Sequence, residues 1–215
     1  MIPKIFHRAW VGPNPIPDVF QKYWAGWQKL HPNWNFVTWG EEDIDNFGLT
    51  NQAEYDSATE YAGKTDIAMY EILYRCGGVW LCCDMECFKN IESLVDNVEG
   101  FCGLQRENIF LGAIMGCVPG HPLWKSMVDG ILESVRTHAG AYLPEITGPF
   151  YMTRIVQEQL KMSVSDIVAA NYRGFRVYDT KLVYPYHPTD VSGFLGATGY
   201  PNSYCCHHWR GSWVK

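Results

Sequence analysis

An α/β fold is the expected class, and three observations carry it. Short apolar runs that read as buried strands alternate along the chain with stretches of helical periodicity. The segments between them are rich in Gly, Pro and Asn, which are turn signals. The clearest unit, residues 62–90, holds a helix, a glycine stop and a strand that runs into carboxylates.

In that unit Ile67, Tyr70, Ile72, Leu73 and Tyr74 recur mostly at three- and four-residue intervals, which predicts a helix over 65–74 with one buried face. Thr65 and Asp66 supply start chemistry, side chains able to accept from free backbone N–H groups. Gly77 and Gly78 stop the helix, because glycine takes left-handed backbone angles without steric cost. Val79 to Cys83 is a short apolar run, expected to be a strand buried on both faces, and it ends in Asp84-Met85-Glu86. Alternate residues of a strand share a face, so Asp84 and Glu86 are expected to point the same way. Ligands bind at strand ends in open α/β sheets. Two readings stay open on the residues alone: a divalent cation held by hard oxygen ligands with phosphates completing its shell, or a strand running out into solvent.

The flanks fill in the rest. Residues 2–10 read as a first buried strand, and 11–17 as a loop. Phe20 to Leu30 is helical, with Phe20, Tyr23, Trp24 and Trp27 as a stripe read as core. Asn35 to Trp39 is a second strand, and Gly40 to Asp43 starts a solvated helix. Apolar runs at 100–104 and 109–118 precede a turn at Pro119-Gly120-His121-Pro122 and a helix from Leu123 to about His138. Thr147-Gly148-Pro149 opens another helix, with proline in the first turn. Residues 175–185 are expected to form two short strands.

Composition narrows the function classes. With 215 residues, 47% of them hydrophobic, the chain has room for one sizeable core, expected as a single domain over residues 1–215. No window approaches the roughly 18 apolar residues of a membrane span, and the start lacks the apolar core of a signal peptide, so a cytoplasmic location is expected. A formal charge of −6 argues against nucleic acid as a partner, and it means that a diphosphate would need a cation or a local basic cluster. The eight cysteines lie mostly in apolar runs, as reduced thiols do. Cys82-Cys83 and Cys205-Cys206-His207-His208 could meet in space, although no C-x-x-C pair marks a structural zinc site.

Five ordered islands resemble the DXD-containing glycosyltransferases of the sugar-binding-region family. Their pattern is roughly K-S-D-x-x-R-Y-x-x-L-Y-x-x-G-G-x-Y-x-D-x-D, and Lys64, Thr65, Asp66, Tyr70, Leu73, Tyr74, Gly77, Gly78 and Asp84 stand in register with it. Three positions depart: Met69 replaces an arginine, Trp80 a tyrosine, and Cys82 the first aspartate of the DXD. The start IPKIFHRAW, an apolar segment ending in G-H-P, the T-G-P at 147–149 and the C-terminal His-His-Trp…Ser-Trp are similar to further family segments.

The resemblance implies a GT-A-type, Rossmann-like fold with a mixed central sheet and helices on both faces. It implies transfer of a sugar from a nucleoside diphosphate sugar, UDP-sugar favoured, to a glycan or other hydroxyl acceptor, with retention of configuration. Mn²⁺ or Mg²⁺ would be held by Asp84, Glu86 and His207. Asp84 and Asp66 are the catalytic candidates. His7, Trp10, Lys64, Asp66, Trp80, Cys82, Thr147, Ser212 and Trp213 would surround the donor, and Arg210 or Lys64 would help with phosphate charge. The C-terminal stretch is expected to close over the diphosphate. A non-catalytic nucleotide-sugar-binding module is the alternative, because Met69 and Cys82 stand where the family has polar groups. A glycoside hydrolase using Asp84 and Glu86 is disfavoured, because two parallel carboxylates on one strand do not flank a bond.

Overall fold

The computed structural model describes residues 1–105, 108–170 and 174–210. Strand β1 (Ile5–Ala9) leads to helix α1 (Asp18–Leu30), strand β2 (Asn35–Trp39) and helices α2 (Glu41–Phe47), α3 (Gln52–Ser57) and α4 (Tyr61–Cys76). Strands β3 (Gly78–Leu81) and β4 (Met85–Cys87), helix α5 (Glu92–Val95), and strands β5 (Gly100–Gln105) and β6 (Ile109–Cys117) follow. Helices α6 (Pro122–Thr137), α7 (Leu143–Ile146), α8 (Pro149–Leu160) and α9 (Val164–Ala169) precede strand β7 (Phe175–Tyr178). Helices α10 (Thr180–Val183) and α11 (Gly196–Gly199) and strand β8 (Cys205–His207) complete the described chain.

Six strands make the central sheet in the order β2-β1-β3-β6-β5-β7. Strands β2, β1 and β3 are parallel, β6 is antiparallel to both β3 and β5, and β7 is parallel to β5. The sheet is therefore mixed. Strands β4 and β8 form a separate antiparallel ribbon.

Strand β3 shows why both faces of the sheet are covered. Trp80 faces a cluster that contains Ile44 of α2, Ile72 of α4, Trp124 of α6 and Tyr151 of α8. Its neighbours Val79 and Leu81 face the opposite cluster, with Trp27 of α1, Leu94 of α5 and Val183 of α10. An all-apolar strand is what burial on both faces requires.

Several element bounds differ from those read in the sequence. Helix α4 begins at Tyr61, so Thr65 and Asp66 lie inside it rather than at its cap, and the Lys64 N–H already bonds the Glu60 carbonyl at 3.1 Å. The helix ends as expected: Gly77, at φ 67°, donates its N–H to the Leu73 carbonyl at 2.8 Å. Gly78, at φ 93°, starts β3, and a Cβ there would lie 2.7 Å from the Ile5 carbonyl oxygen. Strand β3 stops at Leu81, and a turn separates it from β4. Of the two strands expected over 175–185 only β7 forms. Asp179 ends it by accepting the Lys181 N–H at 2.8 Å, which starts α10.

The β5–β6 pair carries an irregularity that matters for the site. Cys102 pairs with Met115 but Gly103 pairs with Leu111, so residues 112–114 bulge from β6. The Tyr184 hydroxyl fills the bulge, accepting from the Ile114 N–H at 3.0 Å and donating to the Leu111 carbonyl at 2.9 Å. Its ring lies so close to Gly103 that a Cβ there would meet it at 2.3 Å. Gly103→Ala should therefore destabilise the protein by about 1–3 kcal/mol in urea melts. Gly26→Ala, inside α1 with nothing within 4 Å of the new methyl, should stabilise it by roughly 0.5–1 kcal/mol. Equal effects at the two positions would contradict this packing.

Candidate active site

The site lies where β3 runs out. The Cys82 N–H bonds the Ala113 carbonyl in the β6 bulge at 2.9 Å, and the Met85 N–H bonds the Cys82 carbonyl at 3.1 Å, closing a turn over Cys82-Cys83-Asp84. Asp84 is buried, at 8% exposure. A buried carboxylate requires partners, and the C-terminal strand supplies them. Strand β8 pairs with β4 in the register Met85↔His207, Glu86↔Cys206, Cys87↔Cys205. That register sets His207 Nε2 at 3.0 Å from Asp84 Oδ1. Just past the strand, the Arg210 N–H bonds Asp84 Oδ2 at 2.9 Å and the His208 N–H bonds the Asp84 carbonyl at 3.1 Å. Burial alone would raise the Asp84 pKa, but His207 and the Arg210 N–H outweigh it and hold the carboxyl below the usual range.

Glu86 goes elsewhere. It bonds His208 Nε2 at 2.8 Å, and the His208 ring stacks on Tyr23 with centroids 4.7 Å apart. Asp84 and Glu86 do not share a strand face, because the turn puts Asp84 outside β4. Each carboxylate has its own histidine.

A third carboxylate stands within electrostatic reach of Cys82. Asp66, on α4, accepts from the Thr147 hydroxyl at 3.1 Å, and the Thr147 carbonyl accepts from the Tyr70 hydroxyl at 2.8 Å. Burial pushes the Asp66 pKa up to about 7 against the opposing Thr147 bond. Burial, and after it the charges of Asp84, Cys83 and Asp66, push the Cys82 thiol well up.

Other sequence candidates have structural work. His7 is 2% exposed, with Nε2 at 3.0 Å from the Gly77 carbonyl and Nδ1 accepting from Trp39 Nε1 at 3.2 Å. Burial pushes its pKa down to about 4 despite the Gly77 bond, so it is a neutral clasp with neither nitrogen free for a base. Trp80, expected against the donor, is 3% exposed in the core that α4, α6 and α8 cover. Lys64 sits over the Tyr55 ring at 4.7 Å. Trp10 is half-buried just past the end of β1, its Nε1 donating to the Asn14 carbonyl at 2.7 Å. Ser212 and Trp213 lie outside the described residues. Tyr23 was read as core, yet its hydroxyl meets the Arg210 side chain beside Asp84 and Glu86. Its place in the stripe carried no signal of this, since Trp27 in the same stripe also has a polar tip, its Nε1 donating to the Met85 carbonyl at 2.9 Å.

The chemistry of the donor set can be tested against a cation. The Cys82 thiol, an Asp84 oxygen and a His207 nitrogen lie within 4.8 Å of one another. His207 Nδ1 is buried with no hydrogen-bond partner among the described residues. Glu86 is outside this group. The set fits a divalent transition cation and fits Mg²⁺ poorly, because Mg²⁺ seeks an all-oxygen shell.

A mixed six-stranded sheet covered by helices, with an acidic turn at a strand end, is a GT-A glycosyltransferase architecture. Its overall course agrees with a solved structure titled PaToxG glycosyltransferase, at a TM-score of 0.63 and 14% identity over 74% of this chain and 70% of that one. A glycosyltransferase involved in glycosylation of the major capsid of PBCV-1 superposes at a TM-score of 0.50 and 10% identity, over 97% of this chain and 94% of that one. Residues 17–100 match the family described as "Glycosyltransferase sugar-binding region containing DXD motif". Similar curated proteins include inositol phosphoceramide mannosyltransferase 3 of Schizosaccharomyces pombe, 29% identical over 72% of this chain and 44% of that protein. Another is an uncharacterized glycosyltransferase of Acanthamoeba polyphaga mimivirus, 34% identical over 58% of this chain and 53% of that protein. The chain spans about half the length of these two relatives. Among the described residues, no helix is long and apolar enough to cross a membrane.

The Asp66 environment sets a pH dependence. With a folded pKa of about 7 against an ordinary 3.8, the folded protein holds a proton there that the unfolded chain has released. This contribution to stability is therefore present at low pH and lost as pH rises through 7. In thermal melts without donor, the Tm of Asp66→Asn relative to the natural protein should climb between about pH 4 and pH 8. Parallel curves would mean that Asp66 titrates as an ordinary aspartate.

Proposed function

We propose that the chain is a metal-dependent glycosyltransferase that moves a sugar from a nucleoside diphosphate sugar, UDP-sugar favoured, to a hydroxyl on a glycan or another acceptor, with retention of configuration. The observation that carries this reading is the seating of Asp84 at the end of β3 between His207 and the Arg210 N–H. Asp84 and His207 would hold a divalent cation, Mn²⁺ better than Mg²⁺, whose charge would neutralise the diphosphate as the glycosidic bond breaks.

The remaining roles fall to this chain's own groups. The Arg210 guanidinium, exposed beside Tyr23, adds positive charge for phosphate in an acidic protein. Asp66, fixed by Thr147, accepts hydrogen bonds from donor sugar hydroxyls, and as a carboxylate it does so best above its own pKa. The separate pairing of Asp84 and Glu86 adds to the case against a hydrolase. No general base is assigned.

Asp84→Asn should abolish cation-dependent donor binding, while Glu86→Gln should leave a measurable fraction. Isothermal titration with UDP and Mn²⁺ reads both. Equal losses would move the cation elsewhere. Donor hydrolysis in the presence of the cation separates a transferase from a binding module, for which donor binds but does not turn over.

The donor sugar follows from the two departures. Met69 is core, at 4% exposure, with its Cε 3.1 Å from where a Gly112 Cβ would stand. Neither it nor Cys82 makes the charge-assisted bonds of an arginine or aspartate. A site lacking those groups has less reason to demand the hydroxyls they would bind. A deoxyhexose or pentose donor is therefore expected, with UDP-rhamnose or UDP-xylose outcompeting UDP-glucose by about tenfold. The S. pombe relative is named for mannosyl transfer to inositol phosphoceramide, so a clear preference for UDP-glucose or a GDP-hexose is the outcome that sinks the idea.

A further inference from the structure

The Cys82 thiol stands apart from its neighbours. Cys83 Sγ donates to the Ala9 carbonyl at 3.3 Å and Cys87 Sγ to the Lys89 carbonyl at 3.3 Å. Cys82 Sγ makes no hydrogen bond among the described residues, and the residue is only partly buried. It stands with an Asp84 oxygen and a His207 nitrogen inside one 4.8 Å group. Three segments bring them together: the end of β3, the turn after it and strand β8. The backbone fixes each one, through the Ala113 carbonyl for Cys82, the Arg210 N–H for Asp84 and the Met85 pairing for His207.

We propose that Cys82 is a metal ligand, and that Cys82, Asp84 and His207 form a centre selective for a thiophilic divalent cation, Zn²⁺ or Co²⁺, over Mn²⁺ and Mg²⁺. The inference rests on the reading above that Asp84 and His207 bind the cation, and it adds the third ligand and the identity of the ion. A thiolate with an imidazole is a donor pair for zinc-like ions, whereas Mg²⁺ and Mn²⁺ favour carboxylate, carbonyl and water. Three protein ligands leave open positions, the pattern of catalytic rather than structural zinc, and those positions suit diphosphate oxygens. Binding forms a metal–sulfur bond and releases the thiol proton to solvent. A sulfur ligand at this position is also a reason for Cys82 to contact no sugar hydroxyl.

The test uses the full chain, reduced and stripped of metal, titrated with Co²⁺ alone. A thiolate-to-cobalt charge-transfer band in the near ultraviolet is expected at one equivalent. It should vanish in Cys82→Ser, persist in Cys83→Ser and weaken in Asp84→Asn, with circular dichroism confirming that each variant folds. By calorimetry, Cys82→Ser should lose about 100-fold in Zn²⁺ affinity. Cys82→Asp, which restores a carboxylate, should shift the Zn²⁺-to-Mn²⁺ preference toward Mn²⁺ by about tenfold or more. An undiminished band in Cys82→Ser, or Co²⁺ bound with no band, overturns the sulfur ligand and leaves Asp84 and His207 as the cation site. Donor binding that needs no cation overturns the reading on which the inference rests.

Discussion

The centre of this molecule depends on one electrostatic requirement: a carboxylate buried at the end of a sheet strand must be satisfied. Asp84 meets only part of that need with its own backbone N–H. Its other partners come from β8 and the residues just past it, and β8, a strand too short to persist alone, is held by its ladder to β4 and by the packing of Cys205. The neighbouring Glu86–His208 pair, backed by the Tyr23 ring, repeats the arrangement on the other side of the same ribbon. The chemistry of the site and the stability of the ribbon therefore share the same bonds.

Much of the scaffold was legible in the residues. The periodic stripes of α1 and α6 and the apolar runs of β1, β2 and β6 are local signals, and local propensity agrees with the final packing. The start of α4 was misplaced because Thr65 and Asp66 look like caps, although the Thr65 hydroxyl bonds back to the Ala62 carbonyl at 2.8 Å inside the helix. The break between β3 and β4 was invisible, since Cys82 and Cys83 continue the apolar run.

The site was legible in part, and mostly through the resemblance. Asp84 and His207 were named and meet, as do Asp66 and Thr147. His7 and Trp80 were named and are scaffold, because a motif marks a position without saying which face of the sheet it occupies. Tyr23 and the Arg210 N–H carried no periodic or motif signal for their contacts with Asp84 and Glu86. The pairing of Cys82 with the C-terminal histidine was conceivable from composition, but it required knowing that β8 lies antiparallel to β4.

The bond between the Arg210 N–H and Asp84 joins residues 126 positions apart. Loop-closure entropy makes such contacts slow to reward folding. The parallel strands β1, β2 and β3 and their helices can organise from nearby residues, while Asp84 waits for residues 207–210. Until β8 docks, that carboxylate has water as its partner and no site exists. The partners of Asp84 are thus complete only once β8 lies against β4, so the seating of this carboxylate reports on the docking of that ribbon.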